Sequence, residues 1–111
     1  MQVKLSYAIK FVADMDRAIE FYKGKLGLQL KFQSPDWTEF DTGDTILALH
    51  MASKESPAGT VRLGFNTDDI DRVHSSLLAQ GVKFARAPEP LHGVKIAAFL
   101  DSENSECSLS G

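Results

Sequence analysis

The sequence predicts an α+β fold: two tandem β-α-β-β-β modules forming a cupped mixed sheet, with the helices on its outer face. Three observations predict it. Two helix-like segments repeat at a nearly constant offset: Asp14-Met15-Asp16-Arg17 leading to Lys25-Leu26-Gly27-Leu28, and Asp69-Ile70-Asp71-Arg72 leading to Ala79-Gln80-Gly81-Val82. Each follows an extended apolar stretch, and each is succeeded by short alternating stretches separated by turn residues. Such a repeat marks an architecture whose single unit cannot bury its own apolar face.

Within each helix the punctuation is physical. Asp14 and Asp69 stand where an N-cap carboxylate accepts the free amides of the first turn, and Asp16 and Asp71 add charge favourable to that end of the dipole. Ala18, Tyr22 and Leu26, widened by Ile19 and Phe21, form the first apolar stripe; Val73, Leu77 and Leu78 form the second. Gly27 and Gly81 are placed to end the helices in the left-handed conformation that glycine adopts most easily. Leading strands are predicted over residues 4–12 and 61–67. After the first helix come residues 29–33, 37–41 and 45–50, with Ser34-Pro35-Asp36 as one turn and Thr42-Gly43 as a two-residue hairpin loop. After the second come residues 82–85, 94–100 and 106–109, with Asp101-Ser102-Glu103-Asn104 as the last turn. The Ser-, Pro- and Gly-containing stretch 53–59 links the copies, so the whole chain, residues 1–111, reads as one domain of two modules, about 1–53 and 60–111.

Composition narrows the function. The 111 residues, 43% hydrophobic and 24% charged, suffice for one compact domain with a real core. A net charge of −3, with the basic residues scattered, argues against nucleic acid or an anionic membrane as partner. Cys107 is the single cysteine, so no internal disulfide forms. The opening Met1-Gln2-Val3-Lys4-Leu5-Ser6 lacks the charged-then-apolar run of a signal peptide, and no stretch approaches the ~18 apolar residues of a membrane span. A cytoplasmic protein is expected.

The run from Tyr7 to Leu28, the stretch Trp37-Thr-Glu-Phe-Asp-Thr-Gly-Asp-Thr-Ile-Leu-Ala-Leu-His50 and the closing Phe99-Leu-Asp-Ser-Glu-Asn-Ser-Glu106 resemble the vicinal oxygen chelate superfamily. That is the group of glyoxalases, bleomycin-resistance proteins and extradiol dioxygenases. The resemblance covers essentially the whole chain and implies the fold named above; it also implies a homodimer. Catalytic members carry four metal ligands drawn from His, Glu and Gln, two per module: one seven residues before the capping Asp, one on the last strand. Those positions hold Tyr7, Ala48, Arg62 and Ser108 here, none a good ligand for a divalent ion, and the Arg62 guanidinium has no lone pair to give. The expectation is a metal-free member without a cofactor.

Strand alternation assigns the rest. With Thr42-Gly43 as the loop, Trp37 lies opposite Ala48 and Glu39 opposite Ile46. Trp37, Glu39, Ile46, Ala48 and His50 then share the inner face, and Phe40, Leu47 and Leu49 cover the helix. The same count puts Ala97 and Phe99 inward with Glu106 and Ser108, leaving Ile96, Ala98, Cys107 and Leu109 under the second helix. The ligand-binding set is thus Tyr7, Phe11, Trp37, Ala48, His50, Arg62, Phe99 and Ser108, aromatic with a few convergent polar groups, as small-molecule sites are. Plainer roles stay open: Trp37 as core or dimer contact, His50 satisfying a strand end, Glu39 a solvated edge residue. An inward Arg62 needs a partner in Glu39, a ligand anion or solvent. His74 is placed on the exposed side of its helix and His92 in a loop near the mouth. Cys107 is placed in the core, and no phosphate-binding loop is present. Three functions remain: a metal-independent binder of an aromatic or amphiphilic compound; a metal-free lyase or isomerase with Glu39 or His50 as base; or a divalent-metal enzyme of the glyoxalase or dioxygenase type whose ligands align otherwise.

Overall fold

In a computed structural model, which describes residues 3–111, the elements in chain order are β1 (Lys4–Val12), α1 (Met15–Ile19) running into a π-helical turn (Glu20–Lys25), β2 (Gln29–Gln33), β3 (Trp37–Asp41) and β4 (Ile46–Met51). There follow β5 (Val61–Asn66), α2 (Ile70–Ala79), β6 (Phe84–Leu91), β7 (Val94–Leu100) and β8 (Glu106–Ser110). Both halves therefore read β-α-β-β-β, and the fold is α+β. The chain divides into two compact units, one over Tyr7–Val61 and the other over Arg62–Gly111 with the start of β1.

In the first unit the strand order is β2-β3-β4-β1, with β1 parallel to β4 and the other pairs antiparallel. One face of this mixed sheet carries Phe40 and Leu49, both fully buried, which pack with Val12, Met15 and Ile19. Burying each large apolar side chain contributes about 1.5–3 kcal/mol. The Asp14 carboxylate accepts from the Arg17 amide at 3.1 Å, the N-cap expected from sequence.

The helix that follows departs from expectation in its middle. Residues Glu20–Lys25 wind with five-residue spacing, the Leu26 amide donating to the Phe21 carbonyl at 3.0 Å. The repeat explains it: the stretch between capping Asp and terminal Gly is one residue longer in the first copy than in the second. A π turn absorbs that residue while Gly27, at φ 74°, still closes the helix, with the Leu28 amide bonded to the Tyr22 carbonyl at 2.9 Å. In the second copy α2 is regular, capped by Asp69 onto the Arg72 amide at 3.2 Å and closed at Gly81, φ 87°.

The second unit has the order β6-β7-β8-β5, with β5 parallel to β8. Under α2 pack Ile70, Val73, Ala97 and Leu109, joined by Phe65, Leu77, Phe84 and Phe99. β6 is longer than expected: residues 88–91, read from sequence as loop, continue the strand with Pro88 and Pro90 within it, and its ladder slips twice. β6 is the terminal strand of this unit's order, the position where proline's missing donor is tolerated. His92 and Gly93, both at positive φ, make the two-residue turn to β7, so His92 stands at a hairpin tip.

Two hairpin registers also differ from the sequence reading, with opposite consequences. Between β3 and β4 the loop has four residues, 42–45, and Trp37 faces His50 while Glu39 faces Ala48. Asp41 accepts from the Gly43 amide and Thr42 Oγ1 donates to the Thr45 carbonyl, which holds the wider loop. Two residues of slip leave every side chain on its expected face. Between β7 and β8 the loop is odd: the Asp101 amide donates to the Ser105 carbonyl, and Asn104 sits at φ 60°. One residue of slip turns a strand over. Ala97 and Phe99 therefore lie on the helix side with Cys107 and Leu109, while Ile96 and Ala98 pair with Ser110 and Ser108 on the other face.

Among the described residues no helix is long and apolar enough to cross a membrane. Phe40→Ala is expected to lower the unfolding free energy by about 3–5 kcal/mol. Removing the N-cap in Asp69→Ala should cost about 1 kcal/mol. Urea denaturation reads both as lower midpoints at unchanged slope.

Candidate functional site

The face of the first unit turned away from α1 is where chemistry collects. β1 contributes Tyr7, Ile9 and Phe11, β4 contributes Ile46, Ala48 and His50, and the register places Tyr7 beside Ile46 and Phe11 beside His50. β3 adds Trp37 opposite His50 and Glu39 opposite Ala48. Ile9, Phe11 and Ala48 are buried here and form a small core of their own, with Tyr7, Trp37 and Ala52 packed against it. Ala48, fully buried, is the floor on which the larger rings rest.

The rings form a continuous row. Tyr7 and Trp37 lie 6.1 Å apart at 58°, Trp37 and His50 5.8 Å apart edge to face at 87°, and His50 and Phe11 5.2 Å apart at 49°. Tilted pairs of this kind place the positive edge of one ring toward the negative face of another. Trp37 is held from both ends. Ser34 ties its backbone, accepting from its amide at 3.0 Å and donating to its carbonyl at 2.7 Å, and its indole Nε1–H donates to Glu39 Oε2 at 2.8 Å. Residues two apart on a strand share a face, which makes the last bond possible. His50 Nδ1 lies 2.7 Å from the Met51 carbonyl. A carbonyl only accepts, so Nδ1 carries a proton, which leaves Nε2 as the ring position for a lone pair whenever the imidazole is uncharged.

Burial of the Tyr7 ring, and after it the Glu39 charge, push the Tyr7 phenol above its ordinary range. Both causes disfavour a phenolate. The phenol stays neutral, a donor and acceptor on an otherwise acidic face.

Of the remaining sequence candidates, all in the second unit, Arg62 and Ser108 lie on the face turned away from α2. Gly64 pairs with Ser108, and Arg62, two residues earlier, lies at the level of Glu106. Arg62 Nη2 stands 3.7 Å from Glu106 Oε1, with 31% and 41% of the side chains exposed. Glu106 is the partner that sequence reasoning missed; the signal was available in the equal spacing from Arg62 to Gly64 and from Glu106 to Ser108. Phe99 is the correction in this unit. Expected in the binding set, it packs under α2 with rings of Phe65 and Phe84 at 6.0 and 5.9 Å. Cys107 is buried; its thiol is pushed upward first by burial, then by Asp101 and Glu106, with Arg62 opposing, and so is unreactive. His74 packs edge to face on Phe84 at 4.6 Å, half-buried, where the sequence had it exposed. A groove of about 760 Å³ opens in the first unit along Ala13, Asp14, Gln33, Ser34 and Met51, and none of the four rings lines it. The Asp14 carboxylate in it already caps α1. We place the candidate site on the row, where chemistry rather than volume converges.

Comparison with known proteins gives this architecture its family. A model of the Glyoxalase/Bleomycin resistance protein/Dioxygenase superfamily matches residues 4–104. The chain belongs to that superfamily. Among curated proteins it is similar to two uncharacterized proteins of Bacillus subtilis (strain 168). It is 33% identical to YurT over 109 residues, covering 83% of this chain and 86% of YurT. It is 25% identical to YraH over 122 residues, covering 93% and 94%. Among solved structures it resembles the hypothetical protein BH1468 of Bacillus halodurans C-125, with a TM-score of 0.79 at 17% identity, covering 99% of this chain and 94% of that one. Methylmalonyl-CoA epimerase of Mycobacterium tuberculosis superposes with a TM-score of 0.77 at 20% identity, covering 96% and 86%. These structural likenesses are likenesses of fold.

The superfamily resemblance raises the question of a divalent metal, and the donor set answers it. Tyr7 holds its phenolic proton, Ala48 has no donor, Arg62 is a cation against Glu106, and Ser108 offers a neutral hydroxyl. Among the described residues no three His, Cys, Asp or Glu side chains converge. A divalent ion wants three or four such donors at about 2 Å. The residues present do not fit one.

The Tyr7 phenol is expected to titrate above the ordinary tyrosine range in an ultraviolet titration, with Tyr22→Phe used to isolate its signal. Glu39→Gln should bring it partway down, burial remaining. Because the folded-state value is raised, its stabilising effect is complete below the unfolded value and is lost as pH climbs through the folded one.

Proposed function

We propose that this chain is a metal-independent small-molecule-binding protein, taking an aromatic or amphiphilic compound on the row of Tyr7, Trp37, His50 and Phe11. The observation that carries the reading is the row itself: four tilted rings, Phe11 buried, Tyr7 and Trp37 half-buried and His50 exposed, on the face of a sheet whose other face already packs a helix. Rings in such pairs contribute beyond the area they bury. The donor set described above supports leaving metal out of the binding. A homodimer and a cytoplasmic setting, without nucleic-acid or membrane partners, belong to the same reading. They are supported by the resemblance and by the net charge of −3. Light scattering should return the mass of two chains.

Trp37 is the single tryptophan, so its emission reports the site directly. Titration with a panel of aromatic compounds is expected to give saturable quenching with at least one. Silence across the whole panel would sink the proposal. His50→Ala should weaken binding roughly three- to tenfold, the worth of one ring contact. Phe99→Leu, which lies under α2, should leave affinity unchanged.

A second reading is favoured by two specific observations. Glu39 is a carboxylate held in place by the Trp37 indole, and the His50 Nδ1–H is held by the Met51 carbonyl, which turns Nε2 into the ring's free position. Either group suits a general base, in a lyase or isomerase that uses no metal. Should a turned-over substrate be found, Glu39→Gln or His50→Ala should lower kcat by about 10²–10⁴-fold. Unchanged turnover in both variants removes the reading.

A further inference from the structure

Among the described residues, the carboxylate on the aromatic face has no salt-bridge partner. Glu39 is half-buried, and among the described residues its hydrogen-bond partner is the neutral indole N–H of Trp37, while neither of the ion pairs there, Arg62 with Glu106 and Lys95 with Asp71, includes it. A carboxylate accepts at up to four positions, and taking it partly out of water with one neutral donor is costly. The groups around it do not relieve the cost. Tyr7 keeps its proton, and its phenol is raised partly by the Glu39 charge, so the two share one electrostatic environment. His50 has its Nδ1–H committed to the Met51 carbonyl. The face is therefore negative, and the negative charge sits among ring faces.

Rings and a carboxylate together select one kind of visitor. The π faces of Trp and Tyr attract a cation and repel an anion, most strongly where water is thinned out. Tyr7 and Trp37 are tilted at 58°, so neither face is closed by a parallel stack. An inorganic divalent ion fits badly, because Glu39 and His50 are too few donors. An organic cation needs none: it carries its charge on a hydrocarbon body that the rings can cover.

We propose that the ligand of this face is a small organic cation, an arylalkylammonium or quaternary ammonium, with Glu39 as its counter-ion and the Trp37 and Tyr7 rings as its bed. The proposal rests on the reading of the row as a binding surface and adds the sign of the ligand's charge.

Three probes of similar size separate the two ideas: benzyltrimethylammonium, benzyl alcohol and benzoate, titrated by calorimetry and Trp37 emission at low salt. The cation is expected to bind at least about tenfold more tightly than either other probe, a difference of about 1.4 kcal/mol. In Glu39→Gln, which keeps an acceptor for the indole N–H, that preference should fall to about twofold or less. If benzyl alcohol or benzoate binds as well as the cation, the charge assignment is overturned and the binding surface stands. If the preference survives in Glu39→Gln, the role of Glu39 is overturned. If none of the three binds to the folded protein, as judged by circular dichroism, both the assignment and the surface it rests on fall.

Discussion

The two-residue alternation of β3, β4 and β1 is the constraint on which this protein depends. Along β3 and β4 it sends Thr38, Phe40, Leu47 and Leu49 toward α1 and Trp37, Glu39, Ala48 and His50 the other way. The two sets cannot trade places. A slip of one residue would press a carboxylate and an imidazole against the helix and expose Phe40 and Leu49, which are fully buried. The apolar face thus locks the register, and the register in turn presents the aromatic row. Stability and the presentation of the aromatic row come from the same pairing, which is why the row needs no separate scaffold.

The helices show how the two copies share a plan and differ in detail. Both begin on an aspartate cap and end on a left-handed glycine, but each lays only part of its expected stripe on the sheet: Ala18, Ile19 and Tyr22 in the first, Val73 and Leu77 in the second, while Phe21, Leu26 and Leu78 stand exposed. The first has one residue too many between those marks. It spends the surplus in a π turn rather than moving either end, and Tyr22 still reaches Phe40 at 6.1 Å. The ends hold because each is anchored: the cap by a side-chain hydrogen bond, the glycine by a conformation other residues resist.

The same plan carries different chemistry in the two units. On its face turned away from α1 the first unit bears rings and the Glu39 carboxylate. The second bears an ion pair, Arg62 with Glu106, beside serines. The positions at which the superfamily resemblance places metal ligands hold four residues that suit four other tasks: a neutral phenol, a flat floor, a paired cation and a small hydroxyl. What the superfamily membership contributes here is a frame; the function rides on what that frame displays.

The doubled β-α-β-β-β order, both helix caps, the faces of β3 and β4 and the set Tyr7, Phe11, Trp37, Glu39 and His50 were legible in the sequence, because each follows from local periodicity or from one residue's backbone preference. Loop length was not. The β3–β4 loop is wider than Thr42-Gly43 suggested, and the error was harmless because it was even. The β7–β8 loop is odd, and that one residue moved Phe99 from the expected site to the core under α2. The length of β6, with prolines inside it, and the pairing of Arg62 with Glu106 were equally hidden, since both depend on which strand lies alongside. Residue order determined which side chains alternate; only the tertiary structure decided the phase of that alternation across each turn, because phase is set by how two strands bond to one another.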